Sequence, residues 1–542
     1  MHRKCRRLTK KLTSFSIRKP MWQTLHVFCL AILLGLGKLA SAQPDIQWQK
    51  CLGGSSSEEA HSIEQTTDGG YIIAGYSSSL DGDVYGIHGL TDAWLVKLDS
   101  TGTIDWQKCL GGSSNDEAYS IEQTTDGGFI VTGEAYSNDG DVSGNHGSSD
   151  AWVVKLNGTG GLQWQKCLGG TSLERAYSIH QTTDGGYIVA GEAYANGGDV
   201  IGIHGGSDAW VVKLDDFGTI LWQKCLGGSG TETARSIQQT TDGGYIMAGQ
   251  ALSSNDGDVS GNHGGSDAWV VKLDAIGSLQ WQKCLGGSGY EFGYSIQQTT
   301  DGGYIMAGRA GSTDGDVSGI HAGAGADAWL VKLDGAGTIQ WQKCLGGSHL
   351  DEAWTVQQTP DGGYLAAGYT YSVDGDVTGK HGEYYPDGWA FKINSYGVLQ
   401  WQKCLGGSVE EYINCINPTA EGGCVVVGVT NSSDGDVTST HGSWDAWVLK
   451  LSPNIVSVDE EAFEKSSISP NPTHASFIIR STTSDRPNFI SLFDVTGCAL
   501  QTQHAITSEP FSFDLSNYAD GLYLVQIRYA DGTQSILRVM KE

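Results

Sequence analysis

The chain has 542 residues, 78 of them glycine and only 10 proline, while charged residues make up 17%. Glycine at this level without a Gly-X-Y period excludes a collagen-like chain, and 51 aromatic residues exclude a disordered one, which leaves an all-β protein rich in tight turns. Thirty-three lysines and arginines against 61 aspartates and glutamates give a net charge of −28, which disfavours nucleic acid and anionic lipid as partners and favours a cationic ligand.

Residues 1–42 carry nine lysines and arginines and no acid, then an apolar run from about Leu25 to Leu36 and the small-residue site Ala40-Ser41-Ala42. This order predicts a secretory signal peptide cleaved before Gln43, with Met21 as an alternative start; the apolar run is short of the roughly 20 residues that span a bilayer. Without it the chain holds 24 bases against 61 acids, a net charge of −37. No later segment reaches transmembrane length.

From residue 43 to 452 one unit recurs. Trp-Gln-Lys-Cys-Leu-Gly-Gly begins at Trp48, Trp106, Trp164, Trp222, Trp281, Trp341 and Trp401, at spacings of 58, 58, 58, 59, 60 and 60. A period this long means stacked units sharing a core. The unit predicts four strands, at Ser62–Thr66, Tyr71–Tyr76, Asp92–Leu98 and Thr103–Leu110, with an Asp-Gly turn between the first two. Four short strands per unit is the anatomy of a propeller blade. The chain starts with a lone fourth strand (Asp45–Leu52) and its repeats stop after a third (Asp445–Leu451), so the expectation is a seven-bladed ring closed by the N-terminal strand, with a linear solenoid as the alternative. The segment Lys97-Leu98-Asp99-Ser100-Thr101-Gly102-Thr103-Ile104-Asp105-Trp106 resembles quinoprotein-type propeller repeats, and the whole unit resembles secreted bacterial propeller repeats found with sorting domains. Neither resemblance assigns a catalytic residue.

The repeated tryptophans, including Trp94 and its equivalents in each third strand, are expected in the core. Cys51, Cys109, Cys167, Cys225, Cys284, Cys344 and Cys404 occupy one equivalent position per unit, too far apart between blades for disulfides, and are expected to be buried thiols. Cys415 and Cys424 flank a hairpin, with Cys424 opposite about Thr419, so they are not expected to pair. The absence of CxxC argues against zinc.

After a linker at 453–467, residues 468–542 are a different β-rich segment, expected to form a small sandwich. Ser469-Pro470-Asn471-Pro472-Thr473, Phe493-Asp494-Val495-Thr496-Gly497, Asp514-Leu515-Ser516, Gly521-Leu522-Tyr523-Leu524-Val525 and the basic Lys541 follow one another there. This segment resembles the C-terminal sorting domain of type IX secretion cargo. The resemblance implies engagement of the type IX machinery, passage across the outer membrane of a Gram-negative bacterium, and release or surface attachment.

Candidate chemistry gathers in the long loops, which propeller topology places on one face. An acid stands ten residues after each repeat tryptophan: Glu58, Asp116, Glu174, Glu232, Glu291, Asp351 and Glu411. The loop between second and third strands adds Asp81, Asp83, His88 and Asp92; Asp139, Asp141, His146 and Asp150; Asp199, His204 and Asp208, with Gly197 in place of the first acid; Asp256, Asp258, His263 and Asp267; Asp314, Asp316, His321 and Asp327; Asp374, Asp376, His381 and Asp387; and Asp434, Asp436, His441 and Asp445. So many carboxylates on one rim form a candidate Ca²⁺ site, Ca²⁺ taking six to eight oxygens. The competing expectation is Asx turns that bond loop amides, with histidine as a hydrogen-bonded partner. Seven near-identical sets favour binding over catalysis, which needs differently tuned groups, and Gly-x-Ser-x-Gly, HExxH and phosphate loops are missing from the sequence. Trp354, Tyr384, Tyr385, Tyr412 and Trp444, added in the last units, are the candidate ligand-binding residues.

The sequence therefore points to a secreted or cell-surface, non-catalytic binding or adhesion module for a glycan or protein. A hydrolase or lyase using the acidic face and a calcium-stabilised surface protein are the alternatives. One deep pocket of unique residues would favour an enzyme, and repeated shallow sites a binder.

Overall fold

The computed structural model describes residues 43–252, 255–321, 323, 325–453, 466–481, 487–494, 499–504, 511–529 and 534–541. The expected signal peptide and most of the expected linker lie outside these residues. Among the described residues every regular element is a strand, and no helix is long and apolar enough to cross a membrane.

The first repeat shows how the local sequence sets the structure. β1 (Ile46–Leu52) precedes β2 (Glu58–Gln65), β3 (Tyr71–Ser77), β4 (Asp92–Leu98) and β5 (Ile104–Leu110), and the last four form one antiparallel sheet in that order. At the β2–β3 turn Gly69 has φ +84°, a left-handed conformation that suits glycine. Asp68 accepts the Gly70 amide at 2.9 Å and pairs with the buried ammonium of Lys97 at 2.9 Å. The third strand is buried on both faces because a sheet covers each.

β2 starts four residues earlier than the expected Ser62 and contains a bulge. Ala60 pairs with Gly75 and Ser62 with Ala74, so His61 has no partner across the ladder. Gly75 makes the bulge possible, since a Cβ there would stand 1.8 Å from the Glu59 carbonyl oxygen. The same irregularity falls between Ala118 and Ser120, Ala176 and Ser178, Ala234 and Ser236, Gly293 and Ser295, Ala353 and Thr355, and Ile413 and Cys415.

Six of the repeat sheets are four consecutive strands each; a further one joins β1 to Asp445–Leu451, Cys424–Thr430 and Glu411–Pro418. In that sheet Trp447 donates its indole N–H to Gln49 at 2.8 Å, the bond that Trp94 makes with Gln107 at 2.7 Å inside the first sheet. Neighbouring sheets share their cores. Ile72, Ala74 and Leu95 pack with Phe129, Val131 and Trp152, while Val425, Val427, Ala446 and Val448 pack with Ile63, Ile73, Trp94 and Val96. Each first strand touches the first strands of the sheets beside it, β2 touching both Asp116–Gln123 and Glu411–Pro418. These are the innermost strands.

The seven repeat cysteines are free and buried, as expected of small apolar side chains. Cys424 faces Pro418, one residue from the expected Thr419, and it and Cys415 are also free. The C-terminal segment forms a three-stranded sheet, with Ser476–Ser481 between Ser466–Ser469 and Phe511–Asp514, and a four-stranded sheet containing Pro487–Asp494 and Gly521–Tyr529. Phe477, Ile479 and Phe513 of one meet Ile490, Leu492, Val525 and Ile527 of the other in a single core. Lys541 pairs with Asp520 at 3.0 Å.

Candidate functional site: a repeated rim and an axial cavity

At the rim the predicted acids do three separate jobs. Asp81 accepts the Ser55 amide at 2.7 Å, and Asp139, Asp256, Asp314, Asp374 and Asp434 accept the equivalent serine amides at 2.7–3.0 Å. These amide bonds hold Asp139, Asp314, Asp374 and Asp434 below the usual carboxylate range. Asp83, Asp199, Asp258, Asp316 and Asp436 lie 3.3–3.4 Å from the first glycine amide after the repeat leucine. Asp141 and Asp376 tie to the corresponding glycine carbonyls through their own backbone amides, at 2.9 and 2.8 Å.

The third set is buried. Asp92, Asp150, Asp208, Asp267, Asp327 and Asp387 each meet a histidine Nδ1 at 2.6–2.7 Å; Asp445 lies 3.4 Å from that of His441 and accepts its amide at 2.7 Å. Burial pushes the carboxyls of Asp92, Asp150, Asp267, Asp327, Asp387 and Asp445 up, and hydrogen bonding to the aspartate raises His88 and His204. The far nitrogens of His88, His321 and His381 reach Asp141, Asp376 and Asp436 on the next sheet at 3.9, 3.6 and 3.7 Å. The acids ten residues after each tryptophan are buried too; Glu58 accepts the Gly54 amide at 2.8 Å and the Ser77 hydroxyl at 2.7 Å. Among the described residues no three His, Cys, Asp or Glu side chains converge as a metal-holding group.

The axis is built differently. The bulge turns the fourth residue of every first strand inward, and all seven of these, His61, Tyr119, Tyr177, Arg235, Tyr294, Trp354 and Asn414, line one cavity of about 730 Å³. Asn115, Glu117, Glu134, Tyr136, Arg175 and Glu352 complete its wall. Arg175 pairs with Glu134 at 2.8 Å, and the Tyr119 hydroxyl, with one proton to donate, lies between Glu117 at 2.8 Å and Glu134 at 2.7 Å. Arg309 pairs with Glu352 at 2.6 Å, and Trp354 donates its indole N–H to the same carboxylate at 2.7 Å. Trp354 stacks on Tyr412 with ring centroids 5.8 Å apart and planes 11° off parallel, and Trp444 lies 6.3 Å beyond Tyr412. Arg235 sits over the Tyr177 ring at 4.0 Å.

Of the five predicted ligand-binding aromatics, Trp354 lines this cavity, while Tyr412 and Trp444 cluster with it without being among the lining residues. Tyr384 and Tyr385 are exposed in the loop before Asp387 and are not among the residues lining it. The other bulge residues lie just before Ser62, the expected start of β2, and so outside the strand that the sequence predicts. Further along the same strands, Glu122 meets His180 at 2.7 Å and Glu64 accepts the Gln123 amide at 2.6 Å; burial pushes Glu64 up to about 7. A separate groove of about 500 Å³ between neighbouring sheets is lined by repeated residues such as His263, Gln282, Cys284 and Asp316.

Residues 467–542 match the secretion system C-terminal sorting domain. The chain thus ends in a type IX sorting domain that engages the type IX machinery, and it is exported across the outer membrane to the cell surface or extracellular space. Over 183 residues, 32% of this chain, it is 25% identical to the regulatory protein FlaEY of Caulobacter vibrioides, and it spans about a fifth (19%) of that protein's length. Among solved structures it is similar to the Pan2 WD40 domain of Neurospora crassa, with 10% identity, 75% of this chain and 97% of that one covered, and a TM-score of 0.41. It is also similar to Sqt1 from Chaetomium thermophilum, with 12% identity, 81% and 96% covered, and a TM-score of 0.38. The protein is all-β, with repeated four-stranded sheets of propeller type.

Proposed function

We propose that this chain is a closed seven-bladed β-propeller, displayed or released by type IX secretion, whose axial cavity binds a glycan without transforming it. Closure is supported by the pairing of β1 with Asp445–Leu451 and by the packing of that sheet on the first. One observation carries the assignment of the site. The positions framing the bulge repeat, as Ala or a larger apolar residue before and Ser, Thr or Cys after, except Gly293, while the bulge residue itself takes five identities in seven units. A residue that only filled space would follow its neighbours. Aromatic faces beside hydrogen-bonding side chains suit sugar rings, and about 730 Å³ is within the roughly 300–1,000 Å³ of small-ligand sites.

A glycan-array screen of the purified chain tests this. Glycan binding weakened about tenfold in Trp354→Ala with the fold intact supports it; undiminished binding contradicts it.

One observation favours a hydrolase or lyase at the same place. Glu117 is raised by burial and takes a hydrogen bond from Tyr119, the setting of a general acid. Chromatography of a bound glycan after prolonged incubation separates the readings: unchanged ligand supports the binder, and shortened or unsaturated products support the enzyme. Calcium at the rim is a further reading, for which the carboxylate density speaks. The amide bonds to those carboxylates favour the loop-forming role instead.

A further inference from the structure

The charges around the axial cavity are unevenly satisfied. Glu134 has Arg175 and Tyr119, Glu352 has Arg309 and Trp354, and Glu117 has Tyr119. Arg235 stands apart. It is exposed, it lines the cavity from a bulge position, and its guanidinium lies over Tyr177 at 4.0 Å. Among the described residues no carboxylate pairs with it.

A cation held over an aromatic face is fixed in place while its N–H donors stay free. A guanidinium held this way is pre-organised for a planar anion, which it can meet with two parallel hydrogen bonds. The paired arginines already spend part of their donor fork on a glutamate, whose charge offsets theirs. A chain of net charge −28 repels anions at long range, so an unpaired guanidinium in the cavity decides selectivity at short range, where the Debye length of about 8 Å screens the distant charges. The long-range expectation of a cationic ligand is thereby reversed at this site.

We propose that the axial ligand is an acidic saccharide, whose anionic substituent is taken by Arg235 while its sugar ring lies against the aromatic side of the same cavity, at Tyr294 and Trp354. This rests on the assignment of the axial cavity as the glycan site. Arg235 is then the specificity-determining residue and Trp354 the affinity-determining one.

The test is calorimetric titration of the full chain with three sets of oligosaccharides of matched length: neutral glucans, uronate-bearing chains and sulfated chains. The parent, Arg235→Met, Arg235→Lys and Trp354→Ala are compared after melting curves confirm folding. At least tenfold tighter binding of an anionic set than of the neutral set is expected, with Arg235→Met removing the preference and Arg235→Lys keeping part of it. The set that gains more identifies carboxylate or sulfate as the substituent. Equal affinity for neutral and anionic sets, or a preference unchanged in Arg235→Met, overturns the proposal. If Trp354→Ala still weakens binding in those cases, the axial site stands and only the acidic specificity falls. If no set binds, or both variants bind like the parent, the axial assignment falls as well.

Discussion

At the rim, Asp92, Asp150, Asp267 and their equivalents hold a histidine in nearly the same geometry from sheet to sheet, and the same glycines receive the neighbouring aspartates. At the axis, the same repeat places His61, Arg235, Trp354 and Asn414 at equivalent positions of one cavity. Both regions are polar and both face long loops, but one repeats and the other does not. In a chain made of copies, repetition marks what every sheet needs in order to join the next. Divergence at one fixed position marks what the assembled molecule does.

The largest effect should come from breaking the frame that both regions share. Deleting Ile46–Leu52 leaves the edge of Asp445–Leu451 unpaired, removes the Gln49 partner of Trp447 and exposes apolar side chains of which Leu52 alone contributes about 1.5–3 kcal/mol. A large fall in melting temperature, or aggregation, is expected; a deletion variant that melts like the parent would contradict the proposed ring closure.

Next comes Trp354→Ala, which removes the stack on Tyr412 and one donor to Glu352. Aromatic pairs contribute about 0.5–1.5 kcal/mol, so glycan affinity should fall about tenfold while melting changes by a few degrees at most. If stability falls and binding does not, the axis is scaffold like the rim.

Much of the frame was legible in the sequence because it repeats. Strand type follows from alternation and Asp-Gly turns, and the phase of the repeat already paired the first strand with the last. The axial site was half-legible. Trp354 and Tyr412 stand out in the sequence as added aromatics, but His61 and its equivalents Tyr119 and Arg235 fall just before the strand expected from Ser62, so alternation assigns them no face. Two sequence signals mark the bulge: the apolar Ala60 and Ile63 stand three residues apart, which strict alternation does not allow on one face, and glycine recurs inside every second strand, at Gly75, Gly133 and Gly191. A glycine inside a strand signals close backbone approach, and here it admits the bulged carbonyl. The rim misled for the opposite reason. Carboxylate count is visible in sequence, whereas the amides that consume those carboxylates depend on how the loops fold together.

pH offers a subtler contrast. Glu64 is raised to about 7 by burial, against roughly 4.3 in an unfolded chain, so its contribution to stability is fully present below about 4.3 and is lost as pH rises through 7. His88 and His204, raised by their aspartates, act in the same direction above about 6.5. Melting temperature should therefore decline from pH 5 to 8, and Glu64→Gln should flatten that decline and melt higher than the parent above pH 7. A parent curve that rises over this range would contradict both assignments.

The smallest effect belongs to single rim acids. Asp81→Asn keeps an oxygen that can accept the exposed Ser55 amide but removes the charge that strengthens the bond, and a change of about 1 kcal/mol or less is expected. Millimolar Ca²⁺ and NaCl of equal ionic strength should shift melting equally. A larger shift with Ca²⁺, abolished by changing Asp83 and its six equivalents to asparagine, would make the rim a metal site and erase its contrast with the axis.

The central claim, that the ligand site is the divergent axis and not the repeated rim, is tested most directly by one glycan-array comparison. The parent, an axial variant (Arg235→Met with Trp354→Ala) and a rim variant (Asp81→Asn with Asp139→Asn) would be profiled side by side. The axial variant should lose the parent's glycan hits while the rim variant keeps them; loss in the rim variant with retention in the axial one would contradict the account.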